Sequence, residues 1–336
     1  MNKTPRLIEW LPRLRDAKVL CVGDVMLDRF VYGDVERISP EAPIPVLRIS
    51  REVVTVGGAG NVARNLSALG THVQLFGAVG DDAVGAEAVE VLSGDNGVTL
   101  SLVKDTTRPT TVKTRFIAGV QQLLRTDEED LRPLSQTLLG ELSASLSQAV
   151  SGGGCGALIL SDYGKGVLTD AVIAEAISTA KAAGIPVIVD PKGTDFARYR
   201  GASLVTPNRN ELAEATRRPV ETDNDVAAAA QSLVTQCGID AVIATRGPQG
   251  MSVVTADECV HLPALAREVF DVSGAGDTVV ATLAAGLAAG LPLTEAAQLA
   301  NVAAGIVVAK VGTAIVRPGE LSDALGGAPG LGSKFL

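Results

Sequence analysis

Short runs of apolar, often β-branched residues alternate with Ala- and Leu-rich stretches through most of the 336-residue chain. The runs are typical of strands and the stretches of helices, as in NVARNLSALG (61–70), where Val62, Leu66 and Leu69 share one face. Strands that are apolar throughout and are separated by helices form a parallel sheet covered on both faces. The fold class predicted is therefore α/β. We predict a further helix over 170–184 and strands in 17–24, 72–80, 157–162, 186–190, 203–207 and 240–247.

Two segments break this alternation, residues 31–56 and 99–126, which show strand patterns and no helical stretch. We predict that together they form a small β lid over one edge of the α/β body. Because no low-complexity linker separates lid from body, we expect a single domain over residues 1–325. The remaining residues, 326–336, read as a loosely ordered tail.

Charge and composition exclude several kinds of partner. The formal net charge is -9, so the chain lacks the basic surface that nucleic acid requires. Cys21, Cys155, Cys237 and Cys259 show no CxxC spacing, and a zinc site is not expected with only two histidines. The longest apolar run, 279–291, is too short to cross a bilayer. We expect a soluble, cytoplasmic protein with no nucleic-acid or membrane partner.

The segment DVSGAGDTVVATLAAGLAAG (271–290) is the most informative part of the sequence. Gly274, Ala275 and Gly276 form a small-residue turn, from which we expect a helix to start at Asp277. Free N–H groups at a helix start bind anions, and glycine lets an oxyanion approach the backbone. An isolated Asp there is most often a helix cap. Phosphoryl transfer, however, pairs such donors with a base, so we predict Asp277 as the base that accepts a hydroxyl proton.

With this segment the chain resembles the ribokinase-like (PfkB) carbohydrate kinase family, whose signature DTxGAGD has Thr where this chain has Val272. GGAGNVARNLSALG (57–70), NRNE (208–211) and GDVMLD (23–28) resemble three further family motifs, in family order, although one residue is missing before Asn61. The resemblance implies a ribokinase-like three-layer sandwich and phosphorylation of a sugar by ATP with Mg²⁺. It leaves a monovalent-cation requirement open.

The resemblance also implies which residues bind ATP. Asn208 and Glu211 lie one helical turn apart and are implied to organise Mg²⁺ through water, although N-x-x-E taken alone is a capping pattern. For Asn301, implied to line the adenine pocket, a locally satisfied buried amide is an equally good interpretation. The predicted ATP-binding residues are Asn208, Arg209, Asn210, Glu211, Thr245, Arg246, Gly247, Gly250, Asp271 and Asn301.

Asp24 and Asp28 follow the first strand at its carboxyl end, where open α/β sheets bind ligands. Turn chemistry remains the alternative for Asp24. The resemblance implies that Gly57, Gly58 and Asn61 approach sugar hydroxyls. GAGNVA (58–63) also fits a dinucleotide-binding motif, but the strand before it lies in the predicted lid and not at the start of a βαβ unit.

Four cations, Lys113, Arg115, Lys165 and Lys192, lie at or after strand ends. Singly they read as surface charges, but together they indicate a substrate that already carries a phosphate. GDVMLDRF, SPEAPIPV, QQLLRTD, LSDYGKG, VDPKG and DVSGAGDTV resemble the heptose 7-phosphate kinases of that family. This resemblance implies phosphorylation of the anomeric hydroxyl of D-glycero-D-manno-heptose 7-phosphate for lipopolysaccharide core synthesis. The HxGH-type motif of the nucleotidyltransferase to which many such kinases are fused is lacking, so we expect the kinase step only.

Two other classes of function are alternatives, an NAD-dependent dehydrogenase and a non-catalytic sugar-binding protein. A P-loop kinase is excluded because no GxxxxGK[ST] motif occurs.

We also predict a homodimer. A thin lid cannot cover all of its apolar side chains, and uncovered strand edges recruit a partner. The resemblance implies lid-to-lid dimers as well. The apolar lid residues are Val46, Leu47, Ile49, Val53, Val54 and Val56.

Overall fold

The computed structural model describes residues 7–265 and 269–326. Its strands are, in chain order, β1 Lys18–Gly23, β2 Val25–Ile38, β3 Pro45–Gly58, β4 His72–Gly80, β5 Val98–Asp105, β6 Val112–Ala118, β7 Gln121–Glu128, β8 Ala157–Ser161, β9 Val187–Asp190, β10 Leu204–Val205, β11 Ala241–Thr245, β12 Met251–Thr255 and β13 Cys259–Leu262. The α-helices are α1 Ala59–Ala68, α2 Ala83–Ser93, α3 Gln136–Ser151, α4 Asp170–Ala182, α5 Arg209–Thr216, α6 Asp223–Cys237, α7 Ala275–Ala288, α8 Leu293–Val307 and α9 Pro318–Leu325. The strands and helices predicted above are all present; β4 has the predicted bounds, and the others have ends shifted by up to two residues.

Nine strands form the central sheet, in the order β13-β12-β11-β10-β9-β8-β1-β4-β5. Neighbours from β11 through β5 pair in parallel, and the hairpin partners β12 and β13 are antiparallel. The mostly parallel sheet is therefore confirmed, with an antiparallel edge.

The sheet is covered on both faces because its strands are apolar on both. In β1, Val19 and Cys21 point into one buried core, and Leu20 and Val22 point into the other. Helices α1, α7, α8 and α9 contribute to the first core, and α3, α4 and α6 contribute to the second. These layers confirm the predicted three-layer sandwich.

A second, four-stranded sheet has the order β3-β2-β6-β7 and corresponds to the predicted lid. The predicted lid segment 99–126 was wrong in its first part, because β5 pairs with β4 at the edge of the central sheet. The reason is packing: Leu100 and Leu102 of β5 contact one core and Val103 contacts the other. The lid strands from this segment are β6 and β7 alone.

The predicted tail, residues 326–336, lies outside the described residues apart from Gly326, which follows the last turn of α9. Over the described ranges, 7–265 and 269–326, no helix is both long and apolar enough to cross a membrane.

Candidate active site

Asp277 lies in the first turn of α7, which begins at Ala275, two residues earlier than predicted. Gly274 caps the helix with φ 75°, a left-handed conformation that glycine adopts without strain. The small residues of the turn thus belong partly to the helix itself. Ala275 N–H donates to the Val272 carbonyl oxygen over 3.2 Å, and Thr278 N–H donates to the Gly274 carbonyl oxygen over 3.0 Å. The first-turn amides left for an anion are therefore those of Gly276 and Asp277.

The Asp277 carboxylate is buried, with 7% of the residue exposed, and both of its oxygens accept hydrogen bonds. Asn61 Nδ2 in α1 donates to Oδ2 over 2.6 Å, and the hydroxyl of Tyr163, in the loop after β8, donates to Oδ1 over 2.6 Å. Three separate segments of the chain therefore fix the orientation of this carboxylate.

Asn61 is itself held by buried polar groups. Asn65 Nδ2 donates to the Asn61 carbonyl oxygen over 2.9 Å, and Thr278 Oγ1 donates to Asn65 Oδ1 over 2.8 Å. Both Asn65 and Thr278 are fully buried, and neither was singled out from the sequence. Asn65 lies four residues after Asn61 and Thr278 directly follows Asp277, so their spacing was the available signal.

Burial raises the pKa of Asp277 to about 6, while hydrogen bonds from Tyr163 and Asn61 lower it and the charge of Asp28 raises it further. Burial and then the neighbouring Asp277 raise the pKa of Tyr163 well above its usual range. The carboxylate is therefore suited to accept a proton near neutral pH, and the phenol stays protonated as a donor.

Asp24 is almost fully buried beneath the loop that carries Tyr163. Its carboxylate accepts backbone N–H groups of Tyr163 at 2.9 Å, Lys165 at 3.1 Å and Val167 at 3.2 Å. Burial raises the pKa of Asp24 against the lowering effect of these bonds. The contacts favour turn chemistry, the alternative to the predicted contact of Asp24 with substrate.

Asp28 and Arg115 form an ion pair on the small sheet, and the Arg115 guanidinium lies 5.2 Å from the centroid of the Phe30 ring. A Cβ at Gly57 would clash with Asp28 Oδ2, and a Cβ at Gly58, whose φ is 57°, would clash with the Asp24 carbonyl oxygen. The predicted glycine pair is thus required by the close approach of β3 to these two carboxylate residues.

The four predicted cations have different partners in the structure. Lys165 Nζ lies 2.7 Å and Lys113 Nζ 3.4 Å from the same oxygen, Oε2 of Glu129, and Lys113 also pairs with Asp127 at 3.1 Å. Glu129 was missed from the sequence. The hydrogen bond from Lys165 is the main reason that the pKa of Glu129 is lowered. Lys113 and Lys165 therefore converge, whereas Arg115 is paired with Asp28.

Lys192 lies instead in a cleft beside α7, together with residues predicted to bind ATP and Mg²⁺. A Cβ at Gly276 would meet no atom within 4 Å, so the helix backbone is open to this cleft. The cleft is lined by Asp162, Tyr163, Asp190, Pro191, Lys192, Thr206, Asn208, Glu211, Thr245, Gly276 and Val279.

Asp190, at the end of β9, is a cleft residue that the sequence analysis missed. Burial is the main reason that its pKa is raised well above the usual range, and the charges of Asp277, Glu211 and Asp162 add to it. Negative charge thus accumulates at the carboxyl ends of β8 and β9, which is an environment that a divalent cation relieves.

Asn208 and Glu211 form a capping box at the start of α5. Asn208 Oδ1 accepts from the Glu211 N–H at 3.0 Å, and Glu211 Oε2 accepts from the Asn208 N–H at 2.9 Å. The capping alternative is therefore present in the structure, and both side chains also line the cleft. Among their predicted neighbours, Asn210 is exposed and Arg209 donates to Gln249 at 3.1 Å.

Arg246 is 5% exposed and is ion-paired with Asp223 at the start of α6. The guanidinium is thus paired within the protein, which favours a structural role for Arg246 over its predicted contact with ATP. Gly247 and Gly250 beside it have φ values of 56° and 87°. At Gly250 a Cβ would clash with the Leu262 carbonyl oxygen, so this loop requires glycine.

Asn301 donates to the Pro263 carbonyl oxygen at 2.7 Å, which supports the interpretation as a locally satisfied amide. Asp271 accepts from the N–H groups of Ser273 at 2.8 Å and Gly312 at 3.0 Å. Burial raises the pKa of Asp271, but these bonds lower it overall. Asp271 therefore shapes the turn that leads into α7.

The sequence profile described as "pfkB family carbohydrate kinase" matches residues 16–318. The chain belongs to this family. Among curated relatives, the bifunctional protein HldE of Paramagnetospirillum magneticum is 54% identical over 326 residues, and that of Rhodospirillum rubrum is 53% identical over 330. Each match covers 97% of this chain but 66% and 65% of those proteins, so the chain spans slightly less than two thirds of their length.

Solved structures of other proteins share the fold of this chain. Ribokinase of Arabidopsis thaliana, complexed with ribose and ATP, superimposes with a TM-score of 0.72 at 21% identity over 92% of this chain and 98% of that one. Phosphofructokinase-2 of Escherichia coli, in complex with fructose-6-phosphate, gives 0.75 at 22% identity over the same shares. These likenesses show the ribokinase-like fold, and family membership supports a sugar kinase with ATP as donor.

Proposed function

We propose that the chain transfers the terminal phosphoryl group of ATP to a hydroxyl of a small sugar phosphate, with Asp277 as the base. The observation that carries this proposal is the placement of Asp277: a buried carboxylate fixed by two donors, in the first turn of a helix whose backbone opens to an oxygen-lined cleft. Release of ADP that depends on the sugar phosphate is the direct test.

In this mechanism the sugar hydroxyl gives its proton to the Asp277 carboxylate. The hydroxyl oxygen forms a bond to the γ-phosphorus, and the bond from that phosphorus to the β–γ bridging oxygen breaks, which leaves ADP. Amide N–H groups of the first turn of α7, at Gly276 and Asp277, donate to the phosphoryl oxygens during transfer.

Asn208, Glu211 and Asp190 are the residues that would hold Mg²⁺, through water. The described ranges contain no group of three or more His, Cys, Asp or Glu residues placed to bind a metal directly. The oxygen donors and the accumulated negative charge around Asp190 nevertheless fit a hydrated hard cation. When bound, Mg²⁺ neutralises charge on the β- and γ-phosphates.

Glu211→Gln is expected to raise the Mg²⁺ concentration for half-maximal activity about ten-fold, because an outer ligand charge is lost. Glutamine can keep the capping box, so the helix start is preserved. Glu214→Gln, an exposed change one turn further along α5, is the matched control. The measurement is the rate of ADP release against free Mg²⁺. The same Mg²⁺ dependence in both variants would remove Glu211 from the metal site.

For the acceptor, D-glycero-D-manno-heptose 7-phosphate is the candidate that the sequence motifs and the relatives named HldE support. Lys113 and Lys165 would bind the phosphate it already carries, in the place where they now contact Glu129. A dianionic phosphate competes well for two ammonium groups that are already held together. Lys192, by its place in the cleft, is assigned to ATP and no longer to the sugar phosphate.

We further propose a homodimer formed through the small sheet. Of the apolar residues named from the sequence, Ile49 is 60% and Val53 41% exposed, whereas Val56 is buried in the core and was wrongly included. Other apolar residues exposed on the small sheet or in its turns are Val35, Ile38, Ile44, Val120, Leu123 and Leu124. A second copy of the chain is the occupant that a self-complementary two-fold contact provides.

Light scattering at micromolar concentration is expected to give twice the mass of the chain for the wild type. Ile49→Glu, which places a charge in the proposed contact, is expected to give the mass of one chain. Val311→Glu tests the effect of a charge at an exposed apolar residue outside the sheet and is expected to remain dimeric. A monomeric wild type, with and without ligands, would contradict the dimer.

The enzyme is expected to work in the cytoplasm, where its ATP is supplied.

A further inference from the structure

The phenol of Tyr163 contacts the proposed base directly. Its hydroxyl lies 2.6 Å from Asp277 Oδ1 and joins two segments that are 114 residues apart. The ring lies beside Gly58, the residue that caps α1, since a Cβ at Gly58 would lie 3.5 Å from Tyr163 Cδ2. The ring therefore fits between the start of α1 and the start of α7.

Two buried carboxylates, Asp24 and Asp162, hold the backbone around Tyr163 in place. Asp24 accepts the N–H of Tyr163 and of two further residues of the same loop. The preceding residue, Asp162, is 2% exposed and accepts from Tyr199 at 2.7 Å and from Arg198 at 3.1 Å. A loop held by two buried carboxylates presents the phenol in one position.

The groups that face Asp277 come from five elements. Asp28 from β2 carries negative charge toward it. Cys21 of β1 and Asp190 of β9 lie close enough for the charge of Asp277 to help raise their pKa values, after burial. Arg115 compensates Asp28 through their ion pair. Tyr163 and Asn61 donate hydrogen bonds to the carboxylate, and both favour its ionised form.

We infer that Tyr163 is a positioning residue for the reaction: its hydroxyl keeps Asp277 ionised and holds Oδ1, so that a free lone pair of the carboxylate faces the sugar hydroxyl. This inference rests on the proposed role of Asp277 as base. A carboxylate oxygen accepts more than one hydrogen bond, so Tyr163 and the sugar can share it.

The test compares Tyr163→Phe with Tyr199→Phe, which removes another buried phenol–carboxylate bond, the one to Asp162. The measurement is kcat/KM for heptose 7-phosphate between pH 5.5 and 9. The substrate phosphate titrates in the same range, but identically for every variant, so differences between profiles report the protein. Thermal melting of each variant at pH 8 confirms that it is folded.

Tyr163→Phe is expected to move the acid limb of the kcat/KM profile about one pH unit higher, as for the loss of one hydrogen bond to a charged group. With the pKa of Asp277 at about 6 in the wild type, kcat/KM should fall about five-fold at pH 6 and change little at pH 8.5. Tyr199→Phe is expected to leave the limb in place. A limb that does not move, a uniform loss at all pH values, or an equal shift in Tyr199→Phe would overturn the inference. Asp277→Asn tests the base itself, so the two failures are distinguishable.

Discussion

Asp277→Asn is expected to lower kcat by about 10²- to 10⁴-fold while ATP binding stays within a few-fold of wild type, because the base is lost and the backbone amides of α7 remain. Asparagine has the shape of aspartate and can still pair with Asn61 and Tyr163. Steady-state rates of ADP release and titration of a fluorescent ATP analogue are the two measurements. A variant that keeps more than a tenth of the wild-type kcat would contradict the role of Asp277.

The same substitution is expected to stabilise the protein at pH 8. Burial raises the pKa of Asp277 from 3.8 to about 6. Below pH 4 the group is protonated in both folded and unfolded states, and the cost of its folded-state charge grows between pH 4 and 6. Above pH 6 the cost is about 2–3 kcal/mol, which Asn removes. Melting temperatures of both proteins at pH 4 and pH 8 should therefore differ only at the higher pH.

Replacing Lys165 or Lys113 by Met is expected to raise KM for the sugar phosphate about 10- to 100-fold, since a charge-assisted hydrogen bond to phosphate contributes about 1.5–3 kcal/mol. KM for ATP should stay within about two-fold, because neither lysine lines the cleft of Asn208 and Glu211. Initial rates with each substrate varied in turn separate the two constants.

Two further lysines serve as controls for this experiment. Lys104→Met, at a side chain that is 68% exposed, should change neither KM. Lys192→Met should raise KM for ATP, given its place in the cleft. If instead Lys192→Met raised KM for the sugar phosphate and Lys165→Met did not, the assignment of the sugar phosphate to Lys113 and Lys165 would be wrong.

Local patterns were enough to predict the elements that depend on nearby residues. The apolar segments 72–80 and 157–162 became β4 and β8, and the Gly-Ala-Gly turn leads into α7. The lid boundary was predicted less well, because the strand pattern of 98–105 fits either sheet. Residues 98–105 join the central sheet because both faces of β5 pack against the core, and this packing depends on helices elsewhere in the chain.

Side-chain partners within the site were harder to predict, because they depend on which strands are neighbours. β1 lies between β8 and β4, and this order brings the Tyr163 loop against Asp24 and Asp277. Glu129 meets Lys113 and Lys165 for a similar reason, at the junction of lid and body. For Asn208 and Glu211 the sequence allowed both capping and metal binding. The structure contains the cap, while the metal role stays a prediction.

The most direct test of the proposed function is ADP release by the wild-type chain with Mg²⁺ and ATP, measured against a panel of sugars and sugar phosphates, with Asp277→Asn as the inactive control. We expect the highest kcat/KM with D-glycero-D-manno-heptose 7-phosphate, low activity with sugars that carry no phosphate, and a new anomeric phosphate in the ³¹P spectrum of the product. If no sugar or sugar phosphate raised ADP release above that of Asp277→Asn, the proposal that this chain is a sugar-phosphate kinase would be wrong.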